Sequence, residues 1–237
     1  MTDAQQPSVP GLVVALDGPS GSGKSSTSRG VATRLGMRYL DTGAMFRAMT
    51  WWMLQHGVDV ADPAAVAAVC DRPVIASGTD PQAPTITVDG TDVAAAIRTE
   101  EVTRSVSPVS AVPEVRARLL ALQREVVAAG VQEGPGIVVE GRDIGTVVVP
   151  DAAVKVYLTA DAAARAARRA LEEGGSDVEA TREILLARDR IDSGRATAPL
   201  AMADDAVHLD TTFDTLEQVV DRVVALAVAA GAVDGSS

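Results

Sequence analysis

Cysteine, lysine, asparagine, histidine and aromatic side chains are few or missing in this chain of 237 residues, and each shortage removes a possibility. The single cysteine, Cys70, excludes an intramolecular disulfide and fits a reducing compartment. Asparagine is absent altogether, so the Asn-Lys-x-Asp segment with which GTP-binding switches usually read guanine cannot be formed. The longest apolar run, VVALAVAAGAV near the C-terminus, is too short to span a bilayer. The opening MTDAQQPSVP has neither a basic nor an apolar leader, so residues 1–10 are expected to be a disordered tail and the protein cytoplasmic. A net charge of −11 argues against a nucleic-acid polymer as partner, since such binding rests on many phosphate contacts. Lys24 and Lys155 are the only lysines, and every other basic residue is an arginine, several of them clustered.

What is present is a core and a rhythm. Hydrophobic residues make up 47% of the chain, enough for one sizeable domain, placed at 11–230 with a short tail at 231–237. GLVVALD (11–17) reads as a short strand buried on both faces, GIVVEGRD (136–143) and AVKVYLTA (153–160) as two more buried strands, and MRYLD (37–41) and AVHLDTT (206–212) as further short strands. Between them fall helical patterns: Ser25 to Leu35, 44–57 stopped by Gly57, and 113–130 with Pro at its start and Gly at its end. An Arg-, Ala- and Glu-rich helical region runs from Asp161 to Gly194. The closing helix carries Leu216, Val219, Val220, Val223 and Val224 on its inner face. RPVIASG and PTITVDG, within 62–101, read as an inserted hairpin or small sheet. Alternating strands and helices imply an α/β fold with a parallel sheet covered on both faces.

Gly18, Pro19, Ser20, Gly21, Ser22, Gly23, Lys24 and Ser25 fit G-x-x-x-x-G-K-[ST], set between an expected strand and an expected helix. With Ser26 this is the expected ATP site. Glycines let successive backbone N–H groups face the phosphates, and the helix N-terminus adds its positive end. Lys24 is expected at the β- and γ-phosphates and Ser25 on Mg²⁺.

Four further segments bear on the phosphate acceptor. Arg47 lies in DTGAMFR (41–47), after the second strand, and Arg142 and Asp143 lie in EGRD at the end of another, where open parallel sheets bind ligands. In ARDRIDSGRATAPL, helical spacing puts Arg188, Asp192 and Arg195 on one face; in RAARR it does the same for Arg165, Arg168 and Arg169. Each alone reads as readily as a solvated surface. Together they exceed what one triphosphate needs, and two clustered anions account for them. Neither histidine, His56 or His208, lies in these segments. That suits an acceptor that is itself a phosphate and needs no general base. A kinase acting on a hydroxyl would take Asp17, Asp41 or Asp143 as its base.

DGPSGSGKSS, LDTGAMFR, IRTEEV with SPVSAVPEVR, EGRDIGTVV and RDRIDSGRATAPL together resemble bacterial cytidylate kinases, from about Leu12 to Asp210. The resemblance implies the nucleoside monophosphate kinase fold, with a nucleotide-binding subdomain at about 41–104 and a helical lid at about 161–196. It implies phosphorylation of CMP or dCMP with ATP and Mg²⁺, and the protein is expected to be a monomer. By the family pattern, Thr42, Ser107, Arg116 and Asp143 surround the cytosine. Arg47, Arg142 and Arg195 match monophosphate ligands, Arg188 and Asp192 match those near the sugar, and Arg165, Arg168 and Arg169 fall in the lid, near ATP. Lys24, Arg142, Arg188 and Arg195 are the catalytic candidates. A carboxylate at 143 suits the 4-amino donor of cytosine and opposes the O4 acceptor of uracil. Thr42 stands where serine is frequent, and Ser193 and Gly194 lack the charge some members carry there. The alternatives are a kinase for UMP or another small acceptor, or a nucleotide-binding regulator without turnover.

Overall fold

The computed structural model describes residues 11–234 except 133, 173, 174, 176 and 196; the expected tail at 1–10 lies outside them, and of the tail expected at 231–237 only 235–237 do, since 231–234 belong to the last helix. Strand β1 (Leu12–Asp17) runs through the glycine-rich loop into α1 (Lys24–Leu35). Then come β2 (Arg38–Asp41), α2 (Thr42–Gln55) and the short α3 (Pro63–Ala67). Three short strands follow, β3 (Ile75–Ser77), β4 (Ile86–Val88) and β5 (Thr91–Asp92), and a 3₁₀ turn at Ala96–Arg98. Helices α4 (Glu100–Ala111) and α5 (Pro113–Gln132) lead to β6 (Gly136–Glu140), a π-helical turn (Ile144–Val148) and β7 (Val154–Thr159). The chain closes with α6 (Ala162–Glu172), α7 (Val178–Gly194), β8 (Val207–Asp210) and α8 (Leu216–Asp234).

The central sheet has the order β2-β6-β1-β7-β8, and every pair is parallel. Val14, at its middle, pairs with Val138 on one side and Val154 on the other. Because side chains alternate across a strand, neighbours in sequence serve opposite layers. Ala15, Ile137 and Val139 pack with Met45, Met49 and Leu119 of α2 and α5. Val14, Leu16 and Val138 pack with Val31 and Leu35 of α1 and with Val219 and Val223 of α8. Fully buried side chains such as Leu16 and Leu158 each contribute roughly 1.5–3 kcal/mol relative to exposure. Among the described residues no helix is long and apolar enough to cross a membrane.

The inserted β-branched runs form a separate antiparallel sheet, β3-β4-β5. Its connecting segment is fastened to the core. Arg29 of α1 donates to the carbonyls of Pro81 (2.7 Å) and Gln82 (3.2 Å), and the Tyr39 amide donates to Thr79 (2.9 Å).

Several expectations are corrected. Helix α5 does not stop at Gly130 but continues to Gln132. A Cβ at Gly130 would stand 3.1 Å from Ile137 Cβ, so this glycine serves close helix–sheet approach rather than termination. The 161–194 region is two helices that pack on each other, and Asp177 starts the second by accepting from the amides of Glu179 and Ala180. Leu216 is half exposed, because α8 only turns its apolar face inward from Val219 onward. Helix α4, with Pro108 inside it, and the π-helical turn have no counterpart in the sequence reading.

Candidate active site

The carboxyl ends of β1, β2 and β6 open on a cleft of about 1110 Å³, counting the solvent at its open mouth. Gly18 leaves β1 with φ 146°, and a Cβ there would stand 2.1 Å from the Leu158 carbonyl oxygen, so only glycine fits. The loop ends at Lys24, the buried first residue of α1, whose Nζ donates to the Pro19 carbonyl at 2.7 Å. Burial, and then the charge of Arg142, push the Lys24 ammonium below its ordinary pKa, against the pull of Glu140 and Asp17. Glu140 ends β6 and is enclosed beside Lys24. Burial and then Asp41 push its carboxyl upward, while Tyr39 Oη donates to it and Ser25 hydrogen-bonds it. Thr42 Oγ1 donates to the Glu140 carbonyl at 2.7 Å.

The same cleft is lined by Thr42, Ser107, Ser110, Arg116 and Asp143. Arg116, from α5, and Asp143, after β6, form a buried ion pair. The Arg116 guanidinium also donates to the Ser110 carbonyl at 3.1 Å and lies 5.3 Å from the Phe46 ring centre. Ser110 Oγ in turn donates to Ser107 and faces Arg195 Nη1 at 3.5 Å.

Five arginines complete the lining: Arg47, Arg142, Arg169, Arg188 and Arg195, with Arg98 at the margin towards the inserted sheet. Arg142 Nε donates to Asp192 at 3.1 Å, and Arg195 Nε to the Asp192 carbonyl at 3.2 Å. Arg47 donates to the Ile97 carbonyl and to Thr103. Burial, then Arg188 and Arg169, lower Arg47 to about 9; burial, then Arg142, lowers Arg188 to about 10. Arg188 Nε and Arg195 Nη2 are buried with no hydrogen-bond partner among the described residues. Such N–H groups are costly unless an acceptor arrives.

Of the P-loop residues singled out from sequence, Ser20, Gly21, Gly23, Lys24, Ser25 and Ser26 line the cleft. Gly18, Pro19 and Ser22 lie behind it and shape the loop. Arg165 and Arg168 do not line it, contrary to a reading that sets them beside Arg169. Arg165 donates to the Ala160 and Ser20 carbonyls and pairs with Asp189 at 2.6 Å. Arg168 donates to Thr211, which itself donates to the Ser22 carbonyl. Both arginines therefore brace the phosphate loop. Each of the three possible bases is already committed. Asp17 accepts two backbone amides, Asp41 caps α2 by accepting from Ala44, and Asp143 pairs with Arg116. Sequence reasoning missed Glu140, Tyr39, Ser110, Phe46 and Arg98. Only Glu140 carried a signal, as a carboxylate ending an apolar strand.

A parallel sheet whose first strand feeds a P-loop, with arginines gathered over its carboxyl edge, defines a P-loop phosphotransferase. The family model described as cytidylate kinase matches residues 14–229. The curated cytidylate kinase of Streptomyces avermitilis is 62% identical over 218 residues, 92% of this chain and 93% of that protein. Those of Nocardia farcinica and Corynebacterium glutamicum are 53% and 48% identical, covering 93% and 91% of this chain and 96% and 94% of theirs. A crystal structure of an uncharacterized protein from Eubacterium ventriosum superimposes with a TM-score of 0.50 at 10% identity, over 92% of this chain and 98% of that one, a likeness of fold alone. The chain belongs to the cytidylate kinase family.

Proposed function

We propose that the chain transfers the γ-phosphoryl group of ATP to CMP or dCMP, giving CDP or dCDP and ADP. The observation that carries this reading is one cleft lined both by a P-loop and by the buried Arg116–Asp143 pair, with five arginines around them. On this reading Asp143 accepts from the cytosine amino group and Arg116 donates to the N3/O2 edge, with Thr42 and Ser107 beside the base. Arg47, Arg142 and Arg195 take the acceptor phosphate, and Arg188 and Asp192 lie by the sugar. Lys24 and the loop amides take the ATP phosphates, and Arg169 reaches the transferring group. The commitment of Asp17, Asp41 and Asp143 elsewhere favours an acceptor oxygen that is already ionised. Catalysis then rests on alignment and charge neutralisation.

The donor set around Ser25 fits Mg²⁺: a hydroxyl with a buried carboxylate, Glu140, hydrogen-bonded to it, both on the cleft, suits a hard cation that also takes phosphate oxygens. Bound there, the ion would neutralise charge on the β- and γ-phosphates. We further propose that 41–104 acts as the acceptor-binding subdomain, that 161–196 acts as a lid excluding water, and that the enzyme works as a cytoplasmic monomer.

The deciding experiment measures ADP formation from ATP and Mg²⁺ with CMP, dCMP, UMP, AMP and GMP, beside a control without acceptor. Fast turnover confined to CMP and dCMP is expected. Equal ADP in every tube would make water the acceptor and end this reading.

A further inference from the structure

Asp17 is the last residue of β1 and immediately precedes Gly18, yet its carboxylate does not line the cleft. It is 4% exposed, and its two oxygens are divided between two backbone amides: Oδ1 accepts from Ile144 and Oδ2 from Gly145, each at 2.8 Å. Those amides open the π-helical turn that follows Arg142 and Asp143 directly. One carboxylate therefore ties the start of the phosphate loop to the residues next to the acceptor-reading pair.

The far end of the turn is held as well, by Arg124 of α5, which donates to the carbonyls of Val148 (3.1 Å) and Val147 (2.8 Å). At the near end there is no slack: a Cβ on Gly145 would approach Lys155 Cδ to 3.1 Å and Asp17 Oδ2 to 3.5 Å. The tie also carries a cost. Burial raises the Asp17 carboxyl to about 6, the two amide bonds and Lys24 offset this only in part, and the charge of Asp143 adds to it. A neutral hydrophobic contact would join the two strand ends at lower cost, but it would not fix two amides at set distances from one strand terminus.

We infer that Asp17 is a positioning residue: by holding the π-helical turn at both of its first amides, it sets the distance between the phosphate-donor loop and Arg142–Asp143. The inference rests on the phosphoryl transfer proposed above. Displacements of about 1 Å at reacting groups cost up to roughly 100-fold in rate, so the register of this tie is felt in turnover before binding.

Asp17→Asn tests it, because the amide keeps the shape but turns one acceptor into an N–H that faces a backbone N–H. Two readouts are taken: kcat and KM for each substrate, and hydrogen exchange at the Ile144 and Gly145 amides of the ligand-free protein, which needs no activity. The expected result is lost protection at the amide, Ile144 or Gly145, that is left facing the new N–H, with kcat down roughly 10- to 100-fold and both KM values within about threefold. Lost protection with unchanged kcat would overturn the inference, and so would reduced kcat with protection intact. If Asp17→Asn does not fold, Arg124→Met loosens the other end of the turn, with faster exchange and a kcat loss of about threefold or more expected; unchanged exchange and kcat would count against the proposal. Rates are compared on whichever nucleoside monophosphate the wild-type protein phosphorylates, so failure with CMP would revise the proposed function and leave this test standing.

Discussion

Replacing Asp143 by asparagine keeps the outline of the side chain and removes its charge, which separates base reading from packing. Asp143 and Arg116 are 5% and 8% exposed, and truncating one partner of so buried a pair would cost about 3–5 kcal/mol, because the other charge is stranded. Asparagine is gentler. Its Oδ1 still accepts from Arg116, which also keeps the Ser110 carbonyl at 3.1 Å and the Phe46 ring at 5.3 Å. A loss of about 2 kcal/mol is expected, lowering Tm by roughly 4–8 °C for a chain of this size. The effect on the reaction is larger and unequal between substrates. A charge-assisted bond from the cytosine amino group, as proposed, would contribute about 1.5–3 kcal/mol, so kcat/KM for CMP should fall roughly 10- to 150-fold. UMP should fall less or rise, since the new amide donates to O4. Steady-state assays with both nucleotides give the ratio, and thermal melts give the stability. A CMP-to-UMP ratio unchanged in the variant, with both rates down equally, would refute base reading by Asp143 and leave it as a partner for Arg116 alone.

Lys24→Met should lower turnover by about 1000-fold or more, yet leave the ligand-free protein at least as stable, because it removes a buried ammonium that desolvation already penalises. A thermal melt several degrees lower would contradict this. Gly18→Ala forces a Cβ to within 2.1 Å of the Leu158 oxygen at φ 146°, and should cost at least about 3 kcal/mol in denaturant unfolding; a neutral result would mean that the loop can be rebuilt. The Asp17 carboxyl, raised from 3.8 to about 6, binds a proton in the folded chain that the unfolded chain releases between those values. Its stabilising contribution relative to Asp17→Asn is full below the lower value and is lost as pH rises through the upper one. The wild-type-minus-variant unfolding free energy should therefore fall by roughly 2–3 kcal/mol between about pH 4 and 7. A flat or rising difference would exclude burial as the dominant cause.

Strands β1 and β6 were legible because they are buried on both faces, so LVVAL and GIVVE read as unbroken apolar runs closed by glycine or charge, whereas β8, at the sheet edge, buries only Leu209. The inserted sheet was legible from β-branched runs between turn residues. What escaped is set by partners distant in sequence. Nothing within IGTVV specifies a π-helical turn; its first amides are claimed by Asp17, 127 and 128 positions earlier, and its last carbonyls by Arg124. Helix α4 is Ser- and Thr-rich with Pro108 inside, and is held by burial of Val102, Val106 and Val109 rather than by propensity. Gly130 looks like a helix stop and is a contact point for Ile137. The site divides the same way. Motif spacing names Lys24, Arg142, Arg188 and Arg195, whereas Glu140 gains its significance from Tyr39 and Ser25, which only the fold brings to it.

On the proposed reading of 161–196 as a lid, the arginines would favour its closure only when the site is loaded. Arg47, Arg188 and Arg195 are all depressed first by burial, and for Arg47 and Arg188 the next cause is another arginine. In the ligand-free protein this crowding is opposed mainly by Asp192, which holds Arg142 and Arg195, while Arg188 Nε and Arg195 Nη2 find no acceptor among the described residues. A buried N–H without a partner costs about 1–3 kcal/mol, and like charges at close range add to it. Two phosphate groups would supply the oxygens and the negative charge together, whereas one alone would leave part of the cluster unpaired. Since Arg188, Asp192 and Arg195 all belong to α7 or its end, that relief is delivered to the helix proposed as the lid. Closure would then be most favourable with donor and acceptor both bound, the state in which excluding water protects transfer from hydrolysis.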